Sequence, residues 1–574
     1  MNAIVLNKPS ETSPNLLEAA IHRKDEDILD LLIVIQRIPA AWAAGQSLSG
    51  GPLTLASYIH SKGHNVKVLD NNSIFKTYKD DEILEAIARE EPTVVGMSVN
   101  MLNAFASYEL AKKIKTHFPK IFLIAGGLHT FDEPEEVAEH SYDITFVGEA
   151  ELSLQQFMAL INKQEGVVNS SLLVNEKFLE ALRSIPGLVV NRKGELAKTG
   201  PYEILKNLDE LPFVNHDLMN LDDFIRVPSD HLRVTNLVNF QRGCPFKCTF
   251  CKAEFMGGKV RENSAEYMVK ALTYLHEKYA QGHFVLNDSN FTIKRSRVLE
   301  FCKQMISSGL SEKITFWIQT SIIVSMRDDD LILLKKAGLS RISFGVERFT
   351  PEARESIGKS GTQEQVFEML RKIKKHGLRN EINILINLPN ETAESLAIEA
   401  SHIEKTLPFV DYVLVNYLVP IPGTAMYESG SVKRKWYLDK EINYKKTSYY
   451  DQVFQINSPG LEFNLFGLTP EILKANRKFK EELYIGFQSK LYSFPFLLGS
   501  LLFQIMLRTD VLLGRISYFL YFHVSPSVES VVFWPLSTLR EVGVKYFLSA
   551  WYHRTERRTK VMGEEVKVVT GEVV

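Results

Sequence analysis

The chain has little cysteine and no excess of one charge. Only four cysteines occur in 574 residues: Cys244, Cys248, Cys251 and Cys302. A secreted disulfide scaffold uses more and spreads them out. The count therefore points to a reducing, cytoplasmic compartment. Lysine and arginine number 67 against 69 aspartate and glutamate, a formal net charge of −2. No global basic field is present to recruit nucleic acid, so a small-molecule substrate or a protein partner is expected. Residues 1–24 lack the basic start and apolar stretch of a signal peptide. Long hydrophobic runs are scarce too. Residues 491–507 carry no charge, but Pro495 and Gly499 interrupt them and Arg508, Asp510 and Arg515 come directly after. That length is at the bottom of the range for a membrane span. A buried helical cap, an interfacial amphipathic segment and a span all stay open for this tail.

What is present is ordinary globular composition, 45% hydrophobic and 24% charged. The length allows about three or four domains. Short apolar runs alternate with helical periodicity from residue 27 onward. Candidate strands are Leu31–Gln36, Asn65–Asp70, Thr93–Val99, Ile121–Ala125 and Asp143–Val147, with helices over Gly50–Ser61, Glu82–Glu90 and Ala104–Phe118. This alternation predicts an α/β, doubly wound, Rossmann-like domain over 27–165, with ligands at the carboxyl ends of the strands. The pattern weakens over 166–232, read as a linker holding a hairpin near Leu188–Gly194. A second series covers 233–459, with strands at Val238–Gln241, His283–Leu286, Thr315–Gln319, Arg341–Val346, Ile382–Ile386 and Tyr412–Tyr417. Six βα units predict a partial TIM-type (β/α)6 barrel with chemistry at its carboxyl-end loops. Residues 460–574 read as a C-terminal helical region, beginning with a helix over Thr469–Phe487.

The strongest chemical signal comes just after the first strand of that second series: Arg242-Gly243-Cys244-Pro245-Phe246-Lys247-Cys248-Thr249-Phe250-Cys251. Three thiolates on one loop can hold three irons of a cubane cluster and leave the fourth open. Structural zinc takes four ligands, commonly as two close pairs. The remaining cysteine, Cys302, sits among apolar residues at helical spacing and reads as a core thiol.

Cys-x3-Cys-x2-Cys with an aromatic before the third cysteine resembles the radical S-adenosylmethionine (SAM) signature. The resemblance implies a 4Fe-4S cluster on Cys244, Cys248 and Cys251. It further implies SAM bound at the open iron and cleaved to a deoxyadenosyl radical by an electron from a flavodoxin or ferredoxin. It implies SAM contacts at Phe250, beside the adenine, and at Asp288, Gln319, Ser343 and Glu347 on strand ends. Asn387-Leu388-Pro389-Asn390-Glu391-Thr392 resembles the family's Gly-Leu-Pro-Gly-Glu-Thr turn, with asparagine at both glycine positions, and Pro420–Thr424 resembles the segment after the sixth strand. The first domain is similar to the cobalamin-binding domain of class B radical SAM enzymes, implying cobalamin contacts at Ser98, Gly126, Gly127, Gly148 and Glu149. The usual Asp-x-His-x-x-Gly element is missing where Pro39–Gly45 stands. No histidine is then a clear lower axial ligand, and that loop, with Trp42, is expected to cover the lower face. The layout is similar to the anaerobic magnesium-protoporphyrin monomethyl ester cyclase group. Methyl transfer to an unactivated carbon of a small or lipid-like substrate is the expected reaction. Radical oxidation or ring closure of a tetrapyrrole-like substrate is the alternative, and a non-catalytic cobalamin and iron–sulfur sensor is the rival from another class. The apolar, arginine-bearing tail also suggests peripheral membrane contact.

Overall fold

The computed structural model describes residues 28–37, 50–72, 77–221, 237–253, 259–279, 281–431, 435–438 and 468–482. The Pro39–Gly45 loop with Trp42, and the tail from Leu491 onward, lie outside them.

The first module is built on strands β1 (Leu31–Ile35), β2 (Val66–Asp70), β3 (Val94–Ser98), β4 (Phe122–Gly126), β5 (Ile144–Phe146), β6 (Leu188–Arg192) and β7 (Glu195–Lys198). They form one sheet in the order 2-1-3-4-5-6-7. The first five run parallel. Leu31, Ile33 and Ile35 enter one apolar layer, while Leu32 and Val34 enter the layer on the opposite face. Burial on both faces is why these strands read as continuous apolar runs rather than as alternation. Each fully buried aliphatic side chain contributes about 1.5–3 kcal/mol. The helices are α1 (Gly50–Ser61), α2 (Asp80–Glu90), α3 (Ala104–His117), the short α4 (Leu128–Asp132) and α5 (Pro134–Glu139), α6 (Glu151–Asn162) and α7 (Glu176–Arg183).

The sheet continues beyond residue 165, which corrects the expected linker. The predicted hairpin is β6–β7, and it joins β5 antiparallel. Its two-residue turn puts Lys193 at φ 54° and Gly194 at φ 96°, the geometry that matches strand twist in tight hairpins. The true connector begins only after β7, and it is stitched to both modules. Asn215 N donates to Ser57 Oγ on α1 at 2.9 Å, and the Tyr279 hydroxyl donates to Asn215 Oδ1 at 3.1 Å.

The second module has β8 (Leu237–Val238), β9 (Gln241–Arg242), β10 (Arg261–Glu262), β11 (His283–Leu286), β12 (Thr315–Thr320), β13 (Leu339–Glu347), β14 (Arg379–Ile386) and β15 (Tyr412–Tyr417). Six of them form a parallel sheet in the order 8-11-12-13-14-15. This is the expected open partial barrel. Among the described residues β9 and β10 pair only with each other, antiparallel. The helices are α8 (Ala265–Tyr279), α9 (Arg295–Ser307), α10 (Leu310–Lys313), α11 (Asp328–Lys336), α12 (Pro351–Ser356), α13 (Gln363–Lys375), α14 (Ala393–Thr406) and, beyond the barrel, α15 (Pro470–Glu482). Phe316, Ile318, Ile342, Phe344, Val346, Ile382 and Ile384 alternate along their strands and pack against the helices. The opposite, concave face carries Trp317, Gln319, Arg341, Ser343, Glu381 and Asn383. Cys302 is fully buried in the helix-side core, as its helical spacing predicts.

Candidate functional site

The cysteine loop leaves β9 at Arg242 and returns at β10. Gly243 turns it with φ 88°, a conformation that suits a residue without Cβ. Cys244, Cys248 and Cys251 are all half-buried. Cys251 N donates to Cys248 O at 3.1 Å, closing a tight turn. Burial pushes the Cys248 thiol up, Lys359 nearby opposes this, and Cys251, Glu347 and Cys244 push it further up. Binding a cationic cluster reverses that preference, because metal ligation takes the thiolate. Among the described residues no three His, Cys, Asp or Glu side chains form a ligand set for a single metal ion. Three soft donors on one loop, with Lys359 beside them, fit an iron–sulfur cluster, whose irons take one thiolate each.

A platform carries this loop from below. Thr249 N donates to Ile357 O at 3.0 Å, and Met426 N donates to Thr249 O at 2.9 Å. Gly358 has φ 65°, and a Cβ there would meet Lys247 O at 2.9 Å. The platform, residues 346–361, is tied by one buried arginine. Arg354 donates to Val346 O at 3.0 Å, Arg348 O at 2.7 Å, Gly361 O at 3.0 Å and Ser360 O. Glu399 takes the backbone N–H groups of Phe349 and Thr350. Arg348 and Glu391 form a buried pair, and Glu391 also accepts from Asn387 N at 2.8 Å. Asn387 has φ 71°. Asparagine tolerates this left-handed conformation better than most residues, so it can replace the family's glycine there.

Gln319 and Ser343 lie side by side on the concave face, and Glu347 stands farther along, at the end of β13. Gln319 and Ser343 are register neighbours on β12 and β13. Ser343 donates to Glu381 Oε1 at 2.8 Å and accepts from Asn383 Nδ2 at 2.9 Å. A register shift between Gly345 and Glu347 re-aims the strand end, and Glu347 takes φ 64°. Its carboxyl lies over Gly345, where a Cβ would meet Glu347 Oε1 at 2.6 Å and Lys359 Nζ at 2.9 Å. Glu347 and Lys359 are 3.5 Å apart. Burial raises the Glu347 pKa, and Lys359 opposes the shift. Phe250 packs against Ile357, Leu385, Leu388, Leu418 and Met426 at the strand ends.

Asp288 does not join them. It is fully buried and turns to the helix side. Oδ1 accepts from Phe240 N at 2.6 Å, and Oδ2 accepts from both terminal nitrogens of Arg297 at 3.2 and 3.3 Å. Both oxygens are spent in fixing the strand that leads into the cysteine loop. The expected SAM contact is replaced by a structural ion pair.

In the first module Ser98 and Gly126 are register partners at the carboxyl edge of β3 and β4. Gly127 has φ 124°, and a Cβ would collide with the Val99 carbonyl. Backbone at Gly127 and the side chain of Leu128, 52% exposed, lie open at this edge. Gly148 and Glu149 have other employment than the expected cobalamin contact. A Cβ on Gly148 would meet the Tyr202 ring at 2.6 Å. The Glu149 carboxylate crosses to the second module, accepting from Arg242 Nη1 at 2.7 Å and pairing with Arg261. Asp132, at the end of α4, pairs with Lys252, the residue directly after Cys251. Burial lowers the Lys252 pKa to about 8, with Glu428 opposing. The carboxyl edges of the two sheets therefore face each other across the cysteine loop. Sequence reasoning missed Arg242, Lys252, Arg354 and Lys359. For the first two, their place on either side of the cysteines was a usable signal.

Comparison with known proteins bears on both modules. The B12 binding domain family matches residues 44–158, and the Radical SAM superfamily matches residues 238–399. An uncharacterized methyltransferase of Pyrococcus horikoshii is 26% identical over 440 residues, 75% of this chain and 88% of the relative. The anaerobic magnesium-protoporphyrin IX monomethyl ester cyclase of Rubrivivax gelatinosus is 26% identical over 365 residues, 62% of this chain but only 60% of the cyclase. The solved cobalamin-dependent SAM radical enzyme OxsB, with aqua-cobalamin and SAM bound, shares the fold with a TM-score of 0.57 at 15% identity. That match covers 95% of this chain and 82% of OxsB. The chain thus carries a B12 binding domain and a Radical SAM domain that meet at one loop, and these two domains imply cobalamin, an iron–sulfur cluster and SAM as its cofactors.

Proposed function

We propose that the chain methylates an unactivated carbon of a small or lipid-like substrate held between its two modules. The observation that carries this reading is the meeting of the two strand-end edges at the cysteine loop, through the Asp132–Lys252 and Glu149–Arg242 pairs. When bound, the three cofactors supply a carbon-centred radical and a transferable methyl group. Cys244, Cys248 and Cys251 are the proposed cluster ligands. Phe250, Gln319, Ser343 and Glu347 are the proposed SAM contacts. Glu347 and Lys359 offer opposite charges side by side, which suits the two ends of an amino-acid zwitterion. Ser98, Gly126 and Gly127 are the proposed cobalamin contacts, since an open backbone edge admits a broad flat ligand closely. The platform under the loop excludes water from one side of the site. A flavodoxin or ferredoxin is the proposed electron donor.

The methyltransferase name of the Pyrococcus relative supports this reading. The cyclase relative supports a second one, radical oxidation or ring closure without net methyl transfer. Anaerobic reconstitution with iron, sulfide and hydroxocobalamin, and then addition of SAM and a strong reductant, decides between them. Methyl transfer gives both 5′-deoxyadenosine and S-adenosylhomocysteine. Deoxyadenosine alone favours the second reading, and neither product overturns both.

A further inference from the structure

Two arginines face each other at the base of the cysteine loop. β9 and β10 are the two ends of that loop, and their short ladder sets Arg242 directly opposite Arg261. Like charges directly opposite across a strand pair are destabilising. Here both side chains are largely buried, with 16% and 9% exposure, so water screens their repulsion poorly. The ladder needs a counter-charge between them, and it comes from the other module. Glu149 Oε2 accepts from Arg242 Nη1 at 2.7 Å and from Arg261 Nη1 at 3.0 Å, and its Oε1 accepts from Arg261 Nη2. Glu151 takes the other arm of Arg242 at 2.5 Å. The turn that aims Glu149 across the boundary is fixed by Gly148, with φ 77°, against the ring of Tyr202.

We infer that Glu149 is a positioning residue that makes closure of the cysteine loop depend on the docked cobalamin-binding module. The bridged arginines are the hinge points of the segment that carries all three cysteines. With Glu149 in place they are clamped together. Without its charge they repel, and the segment opens at its base. The inference rests on the proposed cluster ligands.

The test uses the full chain, reconstituted anaerobically with cluster and hydroxocobalamin, and measures iron release to a chelator together with retained cobalamin. Glu149→Gln keeps the size and loses the charge. Iron release is expected to be roughly tenfold faster or more, with cobalamin retained. Adding Arg261→Gln removes one of the facing charges and is expected to bring release back toward the wild-type rate. If Glu149 acts through groups other than Arg261, no such rescue occurs. Release from Glu149→Gln at the wild-type rate overturns the inference, as does a double variant that releases iron as fast as the single one. Loss of cobalamin from Glu149→Gln also overturns it, by returning Glu149 to the cobalamin site. A wild-type protein that takes up no cluster overturns the proposed ligands themselves, a result distinct from the others.

Discussion

Replacing Asp288 by asparagine keeps its shape and removes its charge. The two roles open to this residue then predict different things. Its carboxyl is fully buried, and Arg297 beside it is almost so, with 4% side-chain exposure. Burial raises the Asp288 pKa, and Arg297 opposes the shift. Asparagine can still accept from Phe240 N, but Arg297 loses one of its two carboxylate partners. Glu262 at 3.1 Å and the carbonyls of Asn263 and Phe240 remain to it. Breaking a buried pair costs about 3–5 kcal/mol, and the surviving partners put this case at the low end, about 3 kcal/mol. In a module of this size that lowers the melting temperature by roughly 6–12 °C. The assay is anaerobic thermal unfolding beside SAM binding at a temperature where both proteins are folded. The expected result is a lower melting temperature with nearly unchanged SAM affinity. An unchanged melting temperature with SAM affinity about tenfold weaker would refute the structural role and restore Asp288 as a ligand contact.

Cys248→Ala should abolish iron uptake. Cys302→Ala should leave uptake intact and cost about 1 kcal/mol from the lost sulfur in a packed core, so equal iron loss in both would show Cys302 to be a ligand. Arg354→Lys replaces three separated nitrogens by one ammonium nitrogen with three donors, which cannot reach all four carbonyls; this should cost about 3 kcal/mol or more and speed iron loss, and wild-type stability and retention would mean the platform holds without it. Glu136 is buried beside His129 at 3.1 Å, the Tyr437 hydroxyl at 3.1 Å, and Lys435. Burial alone would raise its pKa, but hydrogen bonds from His129 and Lys435 outweigh it and hold the pKa to about 2. A depressed folded pKa gives stability that is present above the ordinary value of 4.5 and lost as pH falls toward about 2. Melting temperature should fall across that window in the wild type, and Glu136→Gln should remove that component; identical acid profiles would exclude Glu136 as its source.

Both sheets were legible because apolar runs and helical periodicity are local signals. The strands expected in the two βα series are present except that Val238–Gln241 breaks in two, β8 staying in the barrel sheet and β9 pairing with β10; the six-strand barrel is implied by their number. The hairpin at residue 194 was visible too, but not its pairing with β5. That pairing joins Ile144 to Val190, a non-local match that composition does not announce. Asp288 was misread although its parity was available. It lies two residues beyond Leu286 and shares the helix-side alternation of Phe284 and Leu286, whereas Ser343 and Glu347 alternate with core residues and face inward. Glu149 stood at a strand end, where ligand contacts are common, and only the fold shows that the nearest partners there are arginines from the other module. Arg354 and Lys359 carried no motif, since their roles depend on where one loop lands against another.

The hydrogen bonds at Thr249 have a consequence for how the chain is made. Its N–H and its carbonyl are taken by Ile357 and Met426, both far downstream. A chain that emerges amino-terminus first exposes all three thiols well before either support exists. The Glu149 clamp, by contrast, is complete once Arg261 has followed the cysteines, well before either support is made. Nascent chains should therefore pass through a stage in which the base of the loop is closed and its tip is free, and iron loading belongs after translation of the last barrel strand rather than alongside it.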